Sequence, residues 1–390
     1  MNDFVDIRLE PPVRLENELC SRYRCTKSGC SACADVCPVP GAVRFLEQGV
    51  EITDGCVACG ACASACPNGA IRPAESDQEL ATRIRTRVRS GAAFRIACDR
   101  AEGRADLVLP CLSRLTEALV LEPVRSGAER VELLDPGCSS CGLRKAAPQW
   151  EKVLAFSRAL CESAGLDADR VVRVGVPVGK PIELRDPSQA ASSRRAMFGA
   201  IADRWAASAV PVTALDAATE PAPAETFRQA VQQHRENRKR TDLLELLAGL
   251  AGANLVSSVV PAAATPLADL EIGRQCVGCN VCETLCPTGA LQHREEGGNY
   301  ALDFQPALCT GCRICEVACF HKAIRIRDAV DVSVLYARPK LTLIAVPRRT
   351  CTACQETYLD GSTDLCPLCL VSSRRRQNVA RRMILGGKLR

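Results

Sequence analysis

Thiols set at short, regular intervals are the residues in this chain best equipped for chemistry. Three runs repeat the spacing C-x2-C-x2-C-x3-C: Cys56, Cys59, Cys62 and Cys66; Cys276, Cys279, Cys282 and Cys286; Cys309, Cys312, Cys315 and Cys319. A fourth run, Cys30, Cys33 and Cys37, has its leading cysteine displaced upstream to Cys25 or Cys20. Three thiolates two residues apart curl one loop around a face of an iron–sulfur cube, because each iron takes one soft sulfur ligand. A fourth thiolate three residues on points away from that loop and reaches the neighbouring cluster. Pro38, Pro67 and Pro287 follow three of these fourth cysteines and fix the turn there, while Phe320 holds the equivalent place after Cys319. Such ligand sets do one-electron chemistry.

The crossing rule then distributes the ligands over four [4Fe–4S] clusters. The first set is Cys20 or Cys25 with Cys30, Cys33 and Cys66; the second is Cys37, Cys56, Cys59 and Cys62. The third is Cys276, Cys279, Cys282 and Cys319; the fourth is Cys286, Cys309, Cys312 and Cys315. This is the pattern of bacterial two-cluster ferredoxins, and residues 20–75 and 271–328 each resemble one such module. The gaps Pro38–Gly55 and Pro287–Leu308 suit a hairpin and a helical turn. Gly60, Ala61, Gly278 and Gly311 are small where backbone must approach a cluster and donate N–H bonds to sulfur.

Between the modules the pattern changes. Phe94–Ala97, Asp106–Leu109, Val131–Leu134 and Val171–Val174 read as short buried strands. Ser113–Arg125 and Pro148–Ser163 read as helices, with Ser113 and Pro148 as start signals. Strand alternating with helix predicts a small parallel α/β layer. Cys98, Cys111, Cys138 and Cys141 then fall at the carboxyl ends of strands, where ligands gather in open α/β sheets. Cys161, inside a helix, reads as a small core residue.

Leu109-Pro-Cys111-Leu-Ser-Arg114, Gly127-Ala-Glu-Arg-Val131 and Cys138-x2-Cys141 together resemble the iron–sulfur delta subunit of methyl-viologen-reducing hydrogenases. The resemblance covers about a fifth of the chain. It implies a [2Fe–2S] cluster at Cys111, Cys138, Cys141 and, as a weaker match, Cys98. It also implies electron transfer between a hydrogenase or formate dehydrogenase and heterodisulfide reductase. The closing pair is shorter here than in that family, so zinc, or a bare or redox-thiol site, stays open as an alternative.

Cys351-x2-Cys354 and Cys366-x2-Cys369 form two knuckles joined by eleven residues that contain Asp360-Gly361. A strand over Leu341–Val346 leads in. Four thiolates closing a tetrahedron leave no open position, so a zinc ribbon is expected, with rubredoxin-like iron as the alternative. Ala207–Glu225 reads as an Ala/Pro/Thr-rich linker and Thr226–Leu250 as helical. The basic run Arg235–Arg240 reads as a solvated face rather than a site, and the basic tail Arg374–Arg390 as solvated and disordered. The apolar stretch Leu243–Val260 is interrupted by Glu245, Asn254, Ser257 and Ser258 and closed by Pro261, which favours a partly buried helix over a membrane span.

The composition fits. Twenty-six cysteines after an acidic start without the apolar stretch of a signal peptide (Met1–Asp6) point to metal binding in a reducing, cytoplasmic compartment rather than to disulfides. The formal charge of +5 counts thiols as neutral; six thiolate sites at roughly −2 each would turn it negative, so basicity argues little for nucleic acid. The expected architecture is α+β and multidomain: residues 1–77 and 271–330 as ferredoxin-like modules, 78–180 as the α/β domain, 181–270 as a helical linker, and 331–390 as a zinc-ribbon-like segment with a basic tail. No G-x-G-x-x-G opens a helix, and His234, His293 and His321 form no catalytic constellation. No catalytic residue is assigned. The expectation is an electron-transfer subunit serving a catalytic oxidoreductase subunit and a second redox partner. Formate dehydrogenase, hydrogenase, aldehyde oxidoreductase and heterodisulfide-reductase-like complexes are the candidates. No nucleic acid and no transmembrane span are expected, and peripheral membrane association stays open. The alternative is a structural or nucleic-acid-associated protein that uses clusters as staples.

Overall fold

The computed structural model describes residues 13–179, 183–184, 227–250, 255–359 and 363–385. The acidic start, the 207–225 linker, Lys180, Asn254, the Asp360-Gly361 turn and the last five residues lie outside these, as does most of 181–270.

Helix α1 (Asp77–Arg87) starts where it must. The Ser76 hydroxyl accepts from the Glu79 N–H and the Glu79 carboxylate accepts from the Ser76 N–H, so two orphan donors are satisfied reciprocally. It leads into β1 (Ala93–Cys98), β2 (Leu107–Leu109), α2 (Glu117–Arg125), β3 (Arg130–Asp135), α3 (Ala147–Ser163) and β4 (Val171–Gly175). The four strands form one parallel sheet in the order β2-β1-β3-β4. Their bounds lie within a residue of the expected strands. Helix α2 begins four residues later than expected, because the Ser113 hydroxyl donates to the Ala146 carbonyl (2.7 Å) instead of capping it.

Helix α4 (Arg238–Leu250) belongs to the same core. Leu243, Leu244, Leu246 and Leu247 are buried with Leu119 and Val120 of α2, Phe94 and Ile96 of β1, and Leu335. The apolar stretch after it is not one helix: residues 255–258 are irregular and Val259–Pro261 is a strand paired antiparallel with Ala329–Asp331. Among the described residues, no helix is long and apolar enough to cross a membrane.

The two cysteine-rich regions share a plan. In each, a short antiparallel pair brings the two ends together: Val13–Leu15 with Ile71–Pro73, and Leu270–Ile272 with Ile324–Ile326. A hairpin separates the cysteine runs, Val43–Phe45 with Val50–Ile52 in one and β5 (Leu291–Glu296) with β6 (Asn299–Phe304) in the other. The second hairpin is extended by β7 (Leu341–Thr350) and β8 (Thr357–Leu359) into a four-stranded antiparallel sheet, β5-β6-β7-β8. The segment from 331 onward therefore shares a sheet with the second module. Helix α5 (Pro367–Leu385) follows, so the tail expected to be disordered from Arg374 is helical as far as Leu385.

Candidate metal centres

In the first module, Cys33 and Cys62 pack with Val13, Val50 and Ile71, and Cys20 and Cys66 close on the same group. Burial pushes the Cys33 thiol up to about 12, reinforced by the neighbouring Cys66, Cys30 and Cys20. Burial likewise raises Cys66, against the Ala70 N–H and Lys239, while Cys20 adds to the rise. Cys20, rather than Cys25, is thus the residue that the fold brings to this group. The turn Ser21–Arg24, between Cys20 and Cys25, accounts for the displaced spacing.

The second set gathers beside it. Cys62 is pushed up to about 12 by burial, then by Cys59, Cys56, Cys33 and Cys37. Cys59 is raised to about 11 by burial, opposed by the Ala61 N–H, with Cys111, Cys37 and Cys56 as charged neighbours. Cys66 therefore faces the first run and Cys37 the second, the crossed arrangement.

The other module repeats this. Cys282 is raised to about 12 by burial and by Cys276 and Cys279, with Cys319 also near. Cys309 rises to about 12 by burial, against the Gly311 N–H, with Cys312 and Cys286 adjacent. Gly311 has φ +65°, and a Cβ there would stand 2.9 Å from the Leu267 carbonyl oxygen, so only glycine fits the loop. Gly60, also left-handed, makes room for something sequence reasoning did not foresee: a Cβ would collide with the Arg114 side chain at 2.2 Å.

In the α/β layer, Cys98 ends β1, Cys111 follows β2, and Cys138 and Cys141 follow β3. All four line one cavity of about 130 Å³ with Pro110, Pro136 and Val178. Burial raises Cys138 strongly, and Asp135, Cys98 and Cys111 add to it. The Leu143 N–H points to the Cys141 Sγ at 3.4 Å. Cys161 is elsewhere, buried in α3 among core side chains.

Near the C-terminus Cys351, Cys354, Cys366 and Cys369 have all four Sγ atoms within 4.8 Å of one another. A single ion with metal–sulfur bonds of about 2.3 Å in a tetrahedron sets sulfurs about 3.8 Å apart. The Cys354 and Cys366 Sγ atoms are 3.7 Å apart. Among the described residues, no other group of three or more such ligands is that close. The wider sets suit a cluster, where each sulfur binds a different iron. At this tight site N–H groups led by that of Cys366 hold Cys351 down to about 6. The Cys369 S–H donates to the other three cysteines, which together with burial pushes it up to about 12. The site is joined to the module: Leu359 of β8 lies against Gly278, and the Arg348 guanidinium donates to the Gly278 carbonyl (2.9 Å).

The sets are also neighbours of one another. Cys282 bears on Cys315, joining the third to the fourth. Cys30 bears on Cys312, joining the fourth to the first across the modules. Cys33 bears on Cys62, and Cys111 on Cys59. Cys59 and Cys111 also share one apolar contact group with Ala61, Ala146 and Leu143.

The basic run is not a solvated face. The Arg235 N–H donates to the Pro287 carbonyl (2.9 Å) and the Asn237 side chain to the Pro67 carbonyl (3.1 Å), the two prolines that follow Cys286 and Cys66. Lys239 donates to the carbonyls of Ser64 and Cys66, and Arg240 to those of Pro266 and Cys309. Arg240 is 5% exposed and its Nη1 is buried without an acceptor among the described residues. Thr310 adds a buried bond to Asn68 (2.6 Å). The run thus clamps the two modules together at their cysteine turns. Sequence held one signal for this: four cations against a single acid, Glu236, in a chain whose thiolates need countercharge.

Comparison with protein families agrees with the geometry. Residues 275–323 match the family model of the 4Fe-4S dicluster domain, and residues 50–72 that of the 4Fe-4S binding domain. No curated protein sequence matches the chain. The chain carries two ferredoxin-type 4Fe-4S domains, which supports an iron–sulfur electron-transfer role. Its C-terminal group of four cysteines is one that could bind a metal.

Proposed function

We propose that this chain is an electron-relay subunit, passing single electrons between a catalytic oxidoreductase subunit and a second redox partner through five centres in one series. The order runs from the third set to the fourth, first and second, and then to Cys98, Cys111, Cys138 and Cys141. The observation that carries the reading is contact between successive sets: Cys282 and Cys315 pack against one apolar group, Thr310 beside Cys309 bonds Asn68 beside Cys66 (2.6 Å), Cys33 packs with Cys62, and Cys59 with Cys111. Bound clusters would supply one-electron carriage. The chain's part is to hold each ligand set apart by the right span, bury it, and point N–H groups at sulfur. The Ala70 and Ala323 amides do this for Cys66 and Cys319 at 3.3 and 3.2 Å.

Four cysteines around a cavity, wider than a single ion's tetrahedron, favour [2Fe–2S] over zinc at the middle site. The tight C-terminal set favours structural zinc, with no open ligand position for catalysis. The resemblance to the hydrogenase delta subunit makes formate dehydrogenase, hydrogenase or heterodisulfide-reductase-like enzymes the partners to try first. The test is anaerobic and direct. The purified chain should take electrons from a strong artificial reductant and pass them to an acceptor protein. It should turn over neither NADH nor formate until a catalytic subunit is added. Stoichiometric flavin or pterin in the single chain, with turnover of a small substrate, would refute the relay.

A further inference from the structure

We infer that Arg24 and Lys239 are positioning residues that raise the reduction potentials of the two inner cubes among the four, Arg24 at the fourth set and Lys239 at the first. This rests on the relay reading above.

Arg24 is 1% exposed, between the two modules. Its guanidinium donates to five backbone carbonyls: Leu285 (3.0 Å), Thr284 (3.2 Å), Val231 (2.6 Å), Gln233 (3.2 Å) and Glu18 (2.8 Å). None of these acceptors is a carboxylate. Among the described residues it has no ion-pair partner, and a buried guanidinium in that state is strongly unfavourable, so something else must oppose its charge. Burial lowers its pKa and Arg235 adds to this; the thiolates of Cys286 and Cys312 lead the opposition, ahead of Glu18. Two of its carbonyl partners, Thr284 and Leu285, are the residues just before Cys286. Lys239 holds the equivalent turn of the other module, bonded to the carbonyls of Ser64 and Cys66. Arg240 is nearby, at Cys309, but Glu117 faces it and offsets part of its charge.

The outer loops differ. The arginine bonded at Gly278, Arg348, is paired with Glu295, and the arginine against Gly60, Arg114, is paired with Asp77 at 2.6 Å. Those cations are neutralised by ion pairs; among the described residues Arg24 and Lys239 form none, and Glu18 opposes the Arg24 charge only behind Cys286 and Cys312, whereas Glu117 leads at Arg240. A cube that takes one electron becomes one unit more negative, and a fixed cation in a poorly polarisable site favours that form. Inner centres of higher potential would draw electrons into the middle of the series.

The test is potentiometric reduction of the anaerobically prepared full chain followed by EPR. Wild type should show four cube waves; their absence would overturn the relay reading itself, before any variant is made. Arg24→Gln should move one wave to more negative potential, the wave that is missing from Cys286→Ser, and Arg24→Lys should restore most of the shift. Lys239→Gln, at a half-buried position and less disruptive to packing, should move the wave missing from Cys33→Ser. Four unmoved potentials in Lys239→Gln or Arg24→Gln protein of wild-type iron content would overturn the inference. So would an equal shift in Arg24→Lys, which would mark a packing effect.

Discussion

At the scale of single residues, the crossed arrangement makes the account vulnerable in a useful way. Cys37 lies four residues from Cys33, yet its charged neighbours are Cys59 and Cys62. Cys37→Ser should therefore cost the chain about four irons from the cube of Cys56, Cys59 and Cys62, and spare the cube of Cys30 and Cys33. Iron analysis with EPR decides it, and loss of the Cys30 cube instead would break the assignment. Cys20→Ser should likewise lose a cube, while Cys25→Ser should keep full iron. The two upstream candidates could not be separated in the sequence, since spacing limits reach and not direction. The Ser21–Arg24 turn separates them, because it aims Cys20 at Cys33 and Cys66.

At the scale of elements, the least legible part was what lies between cysteines. The strands of the α/β layer were readable, since each is a short apolar run closed by turn residues. The basic run was not, because a cation buried against backbone carbonyls has no periodicity to betray it. Helix α4 shows the consequence: its polar start clamps the modules and its leucines enter the α/β core. Leu247 is fully buried there. Leu247→Ala should destabilise by about 2–5 kcal/mol, visible as a lower unfolding midpoint, whereas a leucine on a free or lipid-facing helix would cost little in solution. The C-terminal knuckles invite a second test. An independent ribbon would unfold alone when its metal is stripped, but β8 lies on Gly278 and β7 pairs with β6. Chelation should expose amides of residues 341–359 and also of the 276–282 loop in hydrogen exchange. Exposure confined to the knuckles would mean that the contact carries no coupling. Lower pH should favour metal loss, because protons compete for thiolates and Cys369 is held as a thiol up to about 12.

At the scale of the whole molecule, the claim is that two ferredoxin-type modules and an α/β layer form one conductor rather than three separate carriers. The motifs set out the candidate ligand sets; their order could not be read from them, because it depends on how Asn68 meets Thr310 and how residues 235–240 clamp both modules. The measurement closest to this claim is iron-edge anomalous scattering from crystals of the anaerobically prepared chain. Expected are about sixteen irons in four cubes, with about two more beside Cys111. The cube of Cys286, Cys309, Cys312 and Cys315 should be the nearest neighbour of the cube of Cys20, Cys30, Cys33 and Cys66. The knuckles of Cys351 and Cys366 should scatter at the zinc edge and not at the iron edge. Iron in the knuckles would contradict the structural zinc, and cubes of the two modules set on opposite faces of the molecule would contradict the relay.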